Sequence, residues 1–159
     1  MKKILLIITC MLIMTGCTEE PKTETNDKLS MNKIEENIST LVVKDGKPFE
    51  NKESVNDLDL IEGYGIDVSL LEEYVIYISS SVEDPSMYMV LKPTKEQRSV
   101  VKYQVKDMLD KYLSAYMGYY PEAATIIEDK MEKEYSDYLI YIVSQDNQKV
   151  YNKILECKE

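Results

Sequence analysis

Two serines stand three residues ahead of a lysine, Ser30 before Lys33 and Ser99 before Lys102. On a helix this spacing puts both side chains on one face, where a neutral lysine could deprotonate a serine nucleophile. The lysine-threonine-glycine element that accompanies such a pair in Ser-x-x-Lys enzymes is absent from the chain. Residues 17–159 hold twelve serines and sixteen lysines, a density at which about one such spacing arises by chance. Carboxylates offer more material. They cluster at Asp57, Asp59 and Glu62, at Glu72 and Glu73, at Glu83 and Asp84, and at Glu128, Asp129, Glu132 and Glu134. A pair held across a cleft could divide acid and base work, and an oxygen-rich loop could hold calcium. The calcium-loop spacing fails, because Leu58, Leu60 and Ile61 interrupt the first cluster and no glutamate follows at the required distance. With 29 acidic residues in 159, adjacent pairs need no purpose, and a solvated acidic face accounts for them. The chain has no histidine, so it cannot build a Ser-His-Asp triad, a Cys-His dyad or a histidine-ligated zinc from its own residues. No residue is therefore assigned a catalytic, metal-ligating or cofactor-binding role. A surface hydrolase working through carboxylates or a bound cation stands as the alternative function.

Cys17 has the most definite chemistry. Lys2 and Lys3 open the chain with positive charge, Ile4 to Met14 form an apolar run interrupted by Thr9, and Thr15 and Gly16 are small. This is the layout of a secretory signal, too short to cross a hydrocarbon core about 30 Å thick. Met14-Thr15-Gly16-Cys17 resembles the lipobox of bacterial lipoproteins, with methionine where leucine is more usual. The resemblance implies that the Cys17 sulfur receives a diacylglycerol, that residues 1–16 are cut away, and that Cys17 becomes the first residue. The implied location is the cell membrane, lipid-anchored and facing outside the cytoplasm. Two acyl chains hold firmly where one gives only marginal binding. Cleavage removes two of the 19 basic residues and none of the 29 acids, leaving 17 against 29 and a net charge of −12. An anionic lipid surface repels such a chain, so attachment should rest on the lipid rather than on a basic patch. The same balance excludes nucleic acid as a partner, since phosphates call for a basic stripe. Cys10 leaves with the signal and Cys17 takes the lipid, so Cys157 stays without a disulfide partner in the mature chain. It reads as a partly buried thiol near the end of a helix.

Tyrosine is over-used: thirteen residues against one phenylalanine and no tryptophan. A tyrosine buries its ring and keeps its hydroxyl wet, so one reading is a thin sheet with a poorly covered face. The other is a contact surface, because exposed tyrosines bind proteins, peptides or glycans well. Tyr116, Tyr119 and Tyr120, crowded at one turn, are the candidate binding surface. Its partner would be another envelope protein or a cell-wall component.

These residues need a scaffold. Residues 17–30, the lipidated cysteine and TEEPKTETNDKLS, read as a polar tether, spanning roughly 20 Å at about 5–6 Å times the square root of its length. Residues 31–159 read as a single domain. Met31, Ile34, Ile38, Leu41 and Val42 recur at helical spacing behind Ser30, a plausible N-cap. Asp57 to Glu62 fits one helical turn. Glu73–Ser80 and Ser86–Lys92 read as a hairpin of two strands. Thr94 and Gln97 fit a capping box ahead of a long helix over 94–117, stopped by Gly118. Pro121 opens a helix that carries Ala124, Ile127 and Met131 inward. Tyr138 to Val143 reads as a central strand covered on both faces, and Asp146 to Cys157 as the closing helix. The order α-β-β-α-α-β-α predicts a small α+β domain with a mostly antiparallel three-stranded sheet.

Several of these segments together resemble one lipoprotein family of Gram-positive bacteria of the clostridial type, the domain of unknown function 4358. They are the leader, Tyr64-Gly65-Ile66-Asp67, the strand Tyr74-Val75-Ile76-Tyr77-Ile78-Ser79, the helix from Thr94, Tyr120-Pro121 and the strand Tyr138 to Val143. The resemblance covers about residues 31–157. It implies a cell-surface lipoprotein and carries across no catalytic residue. Ser136-Asp137 departs from the glycine-asparagine-like turn expected there.

Overall fold

All six residues from Tyr138 to Val143 are buried, as a continuous apolar run requires when both faces of a strand are covered. The computed structural model describes residues 27–43, 49 and 55–159. The strands are β1 (Leu71–Ile78), β2 (Met87–Pro93), β3 (Met131–Tyr135) and β4 (Tyr138–Val143). They form one sheet in the order β1-β2-β4-β3, antiparallel at every pairing. The helices are α1 (Met31–Ser39), α2 (Asp57–Glu62), α3 (Arg98–Tyr119), α4 (Pro121–Glu128) and α5 (Asn147–Leu155).

Alternation along the strands builds two cores. Met87, Met89, Leu91, Leu139, Tyr141 and Val143 point to the face covered by α3 and α4. Tyr88, Val90, Tyr138, Ile140 and Ile142 point to the face covered by α1 and α5. The sheet is thus the middle of three layers. The expected poorly covered face is absent: Tyr77, Tyr88, Tyr138 and Tyr141 are all buried. Tyr77 stacks on its cross-strand partner Tyr88 at 5.7 Å, and Phe49 meets both rings edge-on at 5.1 and 5.3 Å.

The α+β class holds, but the sheet has four strands rather than three. Met131, expected on the inward face of the helix from Pro121, lies outside it: that helix ends at Glu128 and Met131 starts β3, Met131–Tyr135. The strand exists because β4 offers an unpaired edge, and a two-residue turn with Ser136 at φ 51° closes the hairpin. Ser136-Asp137 therefore joins two strands.

The capping box is not formed. Gln97 is the N-cap of α3 without a side-chain bond, and its backbone N–H donates to the Thr94 carbonyl at 2.9 Å in a turn before the helix. Nor does Gly118 stop α3, which runs on to Tyr119. Pro121 ends it by forcing Tyr120 out of helical geometry, to φ −137° and ψ 68°.

The tether also ends earlier than expected. Leu29 is fully buried among the residues of the α1–α5 face and bridges to Lys158. Its N–H donates to the Tyr138 hydroxyl at 3.3 Å. Lys28 meets Glu159 at 2.9 Å and Glu73 at 3.7 Å, and Tyr135 donates to Asp27 at 3.0 Å. The last four residues assigned to the tether, 27–30, belong to the domain. Residues 1–26, with the leader and Cys17, lie outside the described residues.

Candidate binding surface

Tyr112, Tyr116 and Tyr120 follow one another at intervals of four, so the end of α3 stacks them on one face. Ring centroids are 4.7 Å apart for Tyr112 and Tyr116 and 5.9 Å for Tyr116 and Tyr120. The Tyr112 hydroxyl donates to that of Tyr116 at 3.2 Å, and Tyr116 donates to the Asp84 carbonyl at 3.5 Å. Burial, and then the Tyr116 hydroxyl, push the Tyr112 phenol well above its ordinary pKa. This relay ties α3 to the loop between β1 and β2.

That loop is closed by its own hydrogen bonds. Ser79 N–H donates to the Ser86 carbonyl at 2.9 Å, and the Asp84 carboxylate accepts from Ser86 N–H at 3.0 Å and from its hydroxyl at 2.5 Å. A loop so fastened has little freedom left to lose on binding. Between it and α3 lies a groove of about 290 Å³, lined by Tyr64, Ile78, Ser79 to Val82, Tyr112, Ala115, Tyr116, Tyr119 and Tyr120.

The three predicted tyrosines meet here and divide their roles. Tyr116 is buried and belongs to the core. Tyr119 is 83% exposed and Tyr120 37%, and Val82 across the groove is 66% exposed. Sequence reasoning missed Tyr64, Tyr112 and the whole β1–β2 loop as members of the surface. The interval of four from Tyr112 to Tyr116 to Tyr120 was the available signal for Tyr112; the loop carried none.

The carboxylates gather less. Asp57 accepts from the Tyr74 hydroxyl at 2.5 Å and thereby raises that phenol to about 12. Glu72 and Glu73 pair with Lys92 at 3.0 and 3.6 Å. Asp59 and Glu62 share an open groove of about 670 Å³ with Val55, Tyr64 and Ser80, next to the tyrosines. Both are exposed, and Asp59 already accepts from the Asn56 side chain at 2.7 Å. Among the described residues no three Asp, Glu or Cys side chains are grouped so as to hold a metal ion.

The Ser-x-x-Lys pairs have other occupations. Ser30 caps α1, accepting from the Lys33 backbone at 3.5 Å while the Lys33 ammonium donates to the Lys158 carbonyl. Lys102 pairs with Glu134. Cys157 is a buried free thiol, donating to the Lys153 carbonyl at 3.2 Å and accepting from the Asn37 amide at 3.4 Å.

The surface and the Leu29–Lys158 bridge sit at opposite ends of the sheet. Lys28 and Leu29 lie against the start of β1 and the start of β4, whereas the groove lies beyond the end of β1. No described helix is long and apolar enough to cross a membrane.

A family model described as a domain of unknown function (DUF4358) matches residues 44–144, from before α2 through β4 and without α1 or α5. Comparison with the curated proteins and with the solved structures found no match.

Proposed function

This chain belongs to the DUF4358 family, and from that premise we propose that it is a lipid-anchored binding module of the bacterial cell envelope. Cys17 carries the lipid, residues 18–26 form the tether, and Tyr119 and Tyr120 contact the partner, an envelope protein or a cell-wall component. One observation carries the binding reading. The exposed tyrosines line a groove at the end of the sheet remote from Leu29, where the chain joins the domain. A domain held at its Leu29 end presents that groove away from the membrane.

The hydrolase alternative finds less support. Of Asp57, Asp59, Glu62, Glu72 and Glu73, only Asp59 and Glu62 share a groove, and both stand in open water, without the exclusion of solvent that strengthens catalytic electrostatics.

The test compares partners recovered with the full chain from detergent-solubilised membranes, wild type against Tyr119→Ala/Tyr120→Ala. The double variant should lose at least one wild-type partner while keeping its unfolding midpoint. An identical set of partners would remove the tyrosines from the contact surface.

A further inference from the structure

The sequence distributes its charge unevenly. Residues 55–91 contain eight acids and no lysine or arginine; residues 112–129 contain three acids and again no lysine or arginine. The fold brings residues 59–64, 78–84 and 112–129 of these stretches to one end of the molecule, while Glu72 and Glu73 sit at the other, paired with Lys92. Every described residue lining the tyrosine groove, and the acidic groove beside it, comes from them. A third groove at this end, lined by Glu122, Asp129, Ser144 and neighbours, also holds no described cation. The groove between α3 and β3 differs in mixing Lys102, Lys106 and Lys133 with Glu132 and Glu134.

Helix ends add to the same potential. An α-helix carries about half a negative charge at its C-terminus, which basic residues in the last turn usually offset. Neither α2 nor α3 has one, and both end at these grooves. The N-terminus of α4, of opposite sign, is answered by Glu122 in its first turn. The aromatic faces act likewise, because a cation is drawn to the negative face of a tyrosine ring.

We propose that this end of the domain docks a basic peptide segment of a partner protein. Its lysine or arginine side chains lie over Glu62, Glu83 and the Tyr119 and Tyr120 rings, and an apolar side chain enters the groove beside Val82. Complementary charge sets register and speeds encounter, while the tyrosine contacts supply the desolvated centre. The proposal rests on the binding reading above and names the chemistry of its partner.

The experiment measures fluorescence anisotropy of two short labelled peptides with the full chain in a non-ionic detergent, with empty micelles as the blank. One peptide consists of lysines around a single leucine, the other of glutamates around a single leucine. The lysine peptide should bind and the glutamate peptide should not. Tyr119→Ala/Tyr120→Ala should weaken binding about tenfold, the size of loss expected for two contact residues. Glu62→Gln/Glu83→Gln should weaken it several-fold. The remote pair Glu36→Gln/Glu132→Gln removes the same charge from other faces and should leave affinity unchanged. Equal losses from the near and remote pairs would reduce the effect to net charge and overturn the proposal. So would a lysine peptide that fails to bind, or chitotetraose binding through the same tyrosines in its place. If the peptide fails while the tyrosine variant still loses a membrane partner, the binding surface stands and its basic partner does not.

Discussion

Glu134 is an exposed carboxylate on the outermost strand, gripped by two cations of α3: Arg98 at 2.7 Å and Lys102. Hydrogen bonds from Lys102 and then Arg98 hold it down to about 2, well below the usual carboxylate range. Arg98 also donates to the Asp137 carbonyl at 2.8 Å, so the same side chain grips the β3–β4 turn. The sign of the linkage follows from the depressed value. Glu134 favours the folded state at pH values above its ordinary pKa, and that contribution fades as pH falls through about 4.5 toward 2. Glu134→Gln should therefore lower the urea midpoint at neutral pH and flatten its decline across this window. Unfolding curves at a series of pH values read it out; wild-type and variant midpoints that fall in parallel would show that the pair contributes nothing. Exposure keeps the effect small, because water and salt screen such pairs.

At the scale of elements, the stabilising role of residues 27–30 is the correction with the largest consequence. Leu29 fills the α1–α5 core with no exposed area, so Leu29→Ala should cost about 2–4 kcal/mol of unfolding free energy, the range for a fully buried leucine. Chemical denaturation checks it; a loss under about 0.5 kcal/mol would return residues 27–30 to the tether. Leu29 was hidden because it is a single apolar residue in a polar stretch, and periodicity needs several. The strand β3 was hidden for a related reason. Only its end residues, Met131 and Tyr135, are apolar, with Glu132, Lys133 and Glu134 between them, so pairing with β4 makes it a strand and local preference does not. Charged side chains on such an edge also discourage pairing with other chains. What was legible was what apolar pattern alone decides: β1, β2, β4 and the stripes of α1, α3 and α5. Of the candidate site, Tyr119 and Tyr120 were legible from crowding. The groove they line was not, since its other wall comes from a loop more than thirty residues away in sequence, Ser79 to Val82.

In the molecule as a whole, the proposed attachment and the tyrosine groove belong to opposite ends of the sheet. The proposed lipid on Cys17 would attach the chain with nine residues between it and Asp27. The sheet adds a further length of about 20 Å, at roughly 3.3 Å per strand residue, before the tyrosine groove is reached. That geometry suits a receptor face turned toward the wall. It also gives the attachment point no share in recognition, so the lipid and the groove should fail independently. The central claim is the anchor, because without it the groove has no fixed orientation. Metabolic labelling with radioactive palmitate, comparing wild type with Cys17→Ser in a bacterium that processes lipoproteins, tests it most directly. The account predicts label on the wild-type chain and none on the serine variant; label that persists after the substitution would contradict it.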